Sequence, residues 1–452
     1  MNKHLILMGM AAAMVMASCS SDDLAGGTPG DANGQPVGNS DIPVMLSAGQ
    51  LANQTRVVLG DRDETGKLDG NFHAKGLGVF CLATGKIAGT EDISWRKGYD
   101  NPNFLWMENV KADAEVNDDA DLLKRVTNLK FYDAAGNVET NYFYPMGSQY
   151  SYTFYGYYPY SPNVKHAAGD RYTDGNYSTD NQYHVNIDNL DGRTDVIWGK
   201  SQVAKTDPDS TDAYSAKYFR DKKKRDTEAG TPWQIKNYLP QVTFKHKLMK
   251  FNIILKKGSG ETTQLENLGI KSAKLLNVAT KGELIIADYN NAENNGKFIV
   301  DWSTAANTNT AETGLELKNA EDGPLSDNET GYPGPFLGEE DQVTIGDGFL
   351  VPVPKSTGEG TYEDNGYLGT DSEQLANQGI FRLRIDYFMT TDPDKLYKAA
   401  QYEIRPSFKE TGDTEGWQEG YEYDIVISVS DPQMISANAT LTPWEKRTIE
   451  LE

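Results

Sequence analysis

Tyr150-Ser151-Tyr152-Thr153-Phe154-Tyr155-Gly156-Tyr157-Tyr158 decides how this chain is read. Successive side chains of a strand point to opposite faces, so Tyr150, Tyr152 and Phe154 share one face and Ser151 and Thr153 the other. Tyrosine fills a core while sending its hydroxyl to the rim, and that alone accounts for the pattern. The same rings, with Tyr142-Phe143-Tyr144 upstream, could instead form a protein interface or stack on a sugar. For those uses Tyr157 and Tyr158 are the candidate surface aromatics.

Outward from this stretch the chain repeats one theme, short apolar runs between turns rich in Gly, Asn, Asp and Pro. A first strand is expected at 42–48, where Ile42, Val44 and Leu46 alternate with Pro43, Met45 and Ser47. Pro43 lacks the N–H that a central ladder needs, which confines it to an edge or a strand end. Further strands are predicted at 76–82, 129–132, 149–157, 183–187 and 195–198. The acidic stretch 110–126 is the one region with helical character, and reads as a short surface segment or a loop. A second series runs through 241–244, 248–256, 265–276, 283–287, 349–353, 379–388, 421–429 and 437–441, with a turn-rich region at 290–335. The pattern predicts an all-β sandwich architecture in two domains, 41–235 and 236–452. Trp198 and Phe154 are the expected core residues of the first, Leu248 and Phe251 of the second.

The amino terminus predicts location. Lys3 precedes a nearly apolar stretch from Leu5 to Ala17, followed by Ser18-Cys19 and the polar Ser20-Ser21-Asp22-Asp23. The stretch is too short for a spanning helix. Residues 1–19 read as a lipoprotein signal peptide with Cys19 as the acylated residue, and 20–40 as a solvated tether to the folded body. The other cysteine, Cys81, then has no internal disulfide partner and reads as a buried, inert thiol.

Little in the chain suggests catalysis. There are five histidines and none of the remaining pairs has metal-ligand spacing once His4 leaves with the signal. A nucleophile elbow, a zinc-protease helix and a phosphate-binding glycine loop are all lacking. With 66 acidic residues, any chosen carboxylate pair is poor support for a glycosidase. The net charge of -23 argues against nucleic acid or an anionic surface as partner. Asp61, Asp63, Thr65, Gly66 and Asp69 mimic a calcium loop, but Phe72 stands where a bidentate glutamate belongs, so a plain hairpin turn is the expectation. No enzyme activity, cofactor or metal is expected.

Taken in order, several pieces resemble the fimbrillin family of Bacteroidetes. They are Cys19-Ser20-Ser21-Asp22-Asp23, Gln54-Thr55-Arg56, Gly76-Leu77-Gly78-Val79-Phe80, Tyr152-Thr153-Phe154-Tyr155-Gly156-Tyr157-Tyr158-Pro159-Tyr160, Asp195-Val196-Ile197-Trp198-Gly199, Phe244-Lys245-His246-Lys247-Leu248 and Pro443-Trp444. The resemblance implies two tandem transthyretin-like β-sandwich domains in a subunit of surface fimbriae, or a fimbria-associated adhesin, lipid-anchored in the outer membrane. It implies partners too: other fimbrial subunits joined by strand exchange, and a host or bacterial surface ligand. In such pilins a protease cuts after an arginine near the first strand and a neighbour's strand fills the groove left behind; Arg56 is the matching position. The carboxyl-terminal stretch containing Ala437 to Leu441 is then either a donor strand or a closing strand that donates nothing. A surface lipoprotein that binds carbohydrate through exposed aromatics is the alternative function.

Overall fold

The computed structural model describes residues 39–50, 74–84, 105–116, 127–133, 140–145, 151–166, 182–202, 214–257, 268–276, 278–288, 291–300, 314–316, 342–352, 381–389, 392–398, 402–404, 417–431 and 434–442. In chain order the strands are β1 (Asn39–Pro43), β2 (Ser47–Gln50), β3 (Leu77–Thr84), β4 (Leu105–Val116), β5 (Thr127–Phe131), β6 (Phe143–Pro145), β7 (Ser151–Tyr158), β8 (Val164–His166), β9 (Gln182–Ile187), β10 (Ile197–Gln202) and β11 (Gln241–His246). They continue with β12 (Met249–Lys257), β13 (Leu268–Leu276), β14 (Gly282–Asp288), β15 (Phe298–Ile299), β16 (Leu315–Glu316), β17 (Gln342–Leu350), β18 (Phe381–Met389), β19 (Asp392–Lys398), β20 (Tyr402–Ile404), β21 (Glu422–Asp431) and β22 (Met434–Thr442). Among the described residues there is one α-helix, α1 (Ala216–Glu228). The fold is all-β, as the run of short strands predicts.

Seven strands close on themselves in the order β10-β11-β2-β5-β4-β3-β7. The remaining sheets are β17-β12-β21-β22, β16-β13-β18-β19 with β20 on β18, β15-β14-β9-β8, and the pair β1-β6. Ladders join strands on the two sides of residue 235: β10 with β11, β2 with β11, and β9 with β14.

Strands β3 and β7 form a wall between two cores. Leu77, Val79, Cys81 and Ala83 of β3, with Tyr152 and Phe154 of β7, fill the barrel interior beside Leu46, Val242 and Phe244. The intervening residues Phe80, Leu82, Tyr155 and Tyr157 enter a second, larger core with Phe251, Ile253, Leu284 and Tyr423. A strand buried on both faces loses simple alternation and reads as a continuous apolar run, which is what Leu77 to Leu82 shows. Phe154, Leu248 and Phe251 are buried as expected. Trp198 is only half-buried: it packs at the margin of the larger core, with Nε1–H donating to Ile286 O at 3.0 Å.

Three expectations change. Residues 110–116 belong to strand β4, because Val110, Ala112 and Ala114 are buried while the intervening positions carry the charges; the alanines raise helix propensity but the burial period is two. Residues 117–126 lie outside the described residues. The expected strand 42–48 is two strands, β1 ending at Pro43 and β2 starting at Ser47, consistent with the proline's missing donor. Helix α1 was not foreseen. Its buried face is Ala216, Phe219, Lys222 and Asp226, so polar side chains complete a stripe that apolar residues usually mark. Ser215 caps it, accepting from the Tyr218 N–H at 3.1 Å.

Candidate functional site: the seat of the amino-terminal segment

The part of the fold built least like the rest is where residues 39–50 enter the barrel. Ser47 to Gln50 pair in parallel with Gln241 to Phe244 of β11, while Ser47 and Ala48 pair antiparallel with Asn128 and Thr127 of β5. Ser47 N–H donates to Pro240 O at 3.0 Å, Leu129 N–H to Leu46 O at 3.0 Å, and Val44 N–H to Tyr142 O at 2.7 Å. Val44, Leu46 and Ala48 are buried in the barrel core, Leu46 completely. Upstream, β1 pairs with β6 through Asn39 opposite Pro145 and Pro43 opposite Phe143.

Helix α1 lies beside this segment. Arg220 Nη2 is 2.9 Å from Asp41 Oδ1, and its guanidinium holds the Asp41 carboxyl below the usual carboxylate range. Phe219 is packed beneath the helix with Tyr144 and Tyr214, at ring separations of 5.3 and 6.3 Å. That packing fixes the turn carrying Arg220.

Removing the segment would leave β11 and β5 as facing edges with unpaired backbone groups and would uncover the core where Leu46 sat. An extended chain with matching side chains satisfies both needs, which is the chemistry of strand addition.

The aromatic positions do something else. Tyr157 is fully buried and is not a surface aromatic. Its ring crosses Gly78, where an added Cβ would lie 2.0 Å from Cε1. Its hydroxyl is 2.6 Å from Asn109 Oδ1 and accepts the Ser161 N–H at 3.1 Å; burial pushes that hydroxyl's pKa well up. The reason is register: residue 157 falls on the face of β7 that enters the larger core. Tyr158 is half-buried against the barrel core. Cys81 is fully buried and its thiol pKa is raised by burial. Cys19, Arg56 and the Asp61 to Asp69 stretch lie outside the described residues.

Two of the sequence pieces that carry the family resemblance are cross-strand neighbours. Ile197, Trp198 and Gly199 pair with His246, Lys245 and Phe244. Asp195 Oδ2 is 2.6 Å from His246 Nδ1, with both side chains buried. Gly199 is required because a Cβ there would meet Thr243 O at 2.4 Å. These pieces build the wall of the barrel that also receives β2. Among the described residues no group of three or more His, Cys, Asp or Glu side chains converges to hold a metal ion.

A family model described as fimbrillin-like matches residues 67–321, more than half of the chain. The chain belongs to the fimbrillin-like family. No curated protein matches this fimbrillin-like chain. Among solved structures it is similar to a candidate cell adhesion protein from Bacteroides uniformis, at 12% identity and a TM-score of 0.39, covering 91% of this chain and 100% of that one. It is also similar to the tip fimbrial protein Mfa3 from Porphyromonas gingivalis, at 9% identity, TM-score 0.33, 89% of this chain and 100% of that one. The fimbrial anchor protein Mfa2 from the same organism matches at 8% identity, TM-score 0.28, 89% of this chain and 98% of that one.

Proposed function

We propose that this fimbrillin-like protein is a fimbrial subunit or fimbria-associated adhesin that assembles by exchanging its amino-terminal segment for a neighbour's strand. The observation that carries this reading is the seat: residues 39–50 close a barrel through two short ladders while Leu46 fills its core. In the unassembled chain the segment protects a hydrophobic groove. Cleavage after Arg56 would release it. Cys19 is the acylated residue that holds the unprocessed protein at the outer membrane, and a surface ligand of the host or of another bacterium is the partner of the assembled fimbria. The role is structural, without catalysis or cofactor. We also propose two sandwich units, 41–235 and 236–452, the first completed by β11 reaching back across the division.

The test is Arg56→Ala expressed in the native cell beside wild type. A variant that stays monomeric while wild type polymerises supports the reading; a variant that polymerises equally contradicts it. Metabolic labelling with a fatty acid checks Cys19 separately, and a Cys19-containing product without label removes the anchor from the account.

A further inference from the structure

The seat specifies its occupant more narrowly than alternating apolar side chains would. The chain at 46 to 48 is enclosed on both faces, so Leu46, Ser47 and Ala48 are all buried in succession. Ser47 Oγ lies 3.4 Å from Pro240 O, and Ala48 stands opposite Val242 of β11 and Thr127 of β5. The requirement is a large apolar residue followed at once by two small ones, the first carrying a hydroxyl. Upstream the resident segment adds Met45, and Pro43 at the end of β1.

This pattern occurs a second time in the chain, at the start of its last strand. Pro43-Val44-Met45-Leu46-Ser47-Ala48 is matched by Pro432-Gln433-Met434-Ile435-Ser436-Ala437. Pro, Met, Ser and Ala are identical, and Ile replaces Leu at the fully enclosed position. Gln433 departs at the place of Val44, which precedes β2 and sits at the entrance to the seat.

We propose that the occupant of the seat is β22 of a second copy of this chain, in the register that puts Ile435, Ser436 and Ala437 where Leu46, Ser47 and Ala48 now lie. The proposal rests on the strand-exchange reading and adds to it the partner and the register. β22 is the edge strand of its sheet, bonded only to β21, with Ser436 opposite Ser428 and Ala437 opposite Ile427. Its departure leaves every other ladder of that sheet intact. In the seat it gains neighbours on two sides. β22 has nine residues and β2 four, while β11 runs two residues past Phe244 to His246. A donated β22 in this register therefore continues alongside β11 where the resident strand stops, which favours the exchanged state. A chain carrying both the seat and its occupant can polymerise with itself, which is the property of a repeating stalk subunit.

The test places a photocrosslinking benzoylphenylalanine at Asn128, the residue opposite Ser47, in full-length protein assembled into fimbriae on native cells. The crosslinked peptide is then sequenced by mass spectrometry. The expected partner is the peptide containing Ser436 of another copy, at least about tenfold above any other peptide. An independent pair, Asn128→Cys with Ser436→Cys, is expected to give disulfide-linked multimers, and Asn128→Cys with Ala437→Cys, one residue out of register, is not. A crosslink to a different protein, or to another segment of this chain, overturns the proposal and leaves strand exchange standing. Crosslinking to residues 39–50 of the same chain within fimbriae overturns both, as does the absence of multimers in fimbriae of the first cysteine pair with the amino-terminal segment still attached.

Discussion

Strand β7 is paired with β3 over seven residues and with β10 over four, and its two faces are packed into two different cores. The amino-terminal segment also fills the barrel, yet β2 meets β11 over four residues and β5 over two. Both are hydrophobic occupants of one barrel, but only one of them is bound into the rest of the molecule. β7 cannot leave without separating the two cores from their common wall. The segment at 39–50 can leave and take with it three buried side chains, Val44, Leu46 and Ala48. Burial makes a strand stable, and the number and length of its ladders decide whether it is replaceable.

The comparison can be broken at its strongest point first. Phe154→Ala in β7 is expected to cost about 3 to 5 kcal/mol in denaturant unfolding of the full chain, because the ring is fully buried between Tyr144 and Tyr214. A cost under about 1 kcal/mol would remove β7 from the structural wall. Leu46→Ala comes next, at about 2 to 5 kcal/mol in the unprocessed protein. In protein from which residues 39–50 have been cleaved away and replaced, the same change should have no effect on stability. Equal effects in both forms would show that the segment is a permanent part of the fold.

Tyr157→Phe removes only a hydroxyl, and should cost about 1 to 3 kcal/mol by leaving the buried Ser161 N–H without its acceptor. The smallest effect belongs to Arg220→Ala, below about 1 kcal/mol, because Asp41 is largely exposed. Its signature is pH dependence. Arg220 lowers the Asp41 carboxyl, so the ion pair's contribution is present above the ordinary carboxylate range and is lost as pH falls through the lowered value. Protease access to residues 39–50 should therefore rise on acidification in wild type and change less in Arg220→Ala. Identical profiles would take Arg220 out of the seat.

The all-β class was legible because strand periodicity is local, and 77–84, 151–158, 182–187 and 249–257 fall close to where their apolar runs predict them. The wall between cores was not. Tyr155 and Tyr157 are on the opposite face from Tyr152 and Phe154, and a sequence does not say whether a second face is covered by water or by another sheet. Tyr157 consequently looked like a surface residue and is a core one. α1 was hidden for a related reason, since Lys222 and Asp226 occupy its inward face. β4 was hidden by composition, its alanines and acids masking a period of two. The seat was half legible: the strand near Ile42 and its weakness at Pro43 could be read, while the parallel pairing with β11, some 190 residues away, could not.

The central claim, that residues 39–50 are a removable occupant, is tested most directly by the amino terminus of the protein in fimbriae taken from the native cell surface. The account predicts a chain that begins after Arg56, with the segment gone and the seat filled by another strand. A fimbrial chain that begins at Cys19, with residues 39–50 still attached, would contradict it.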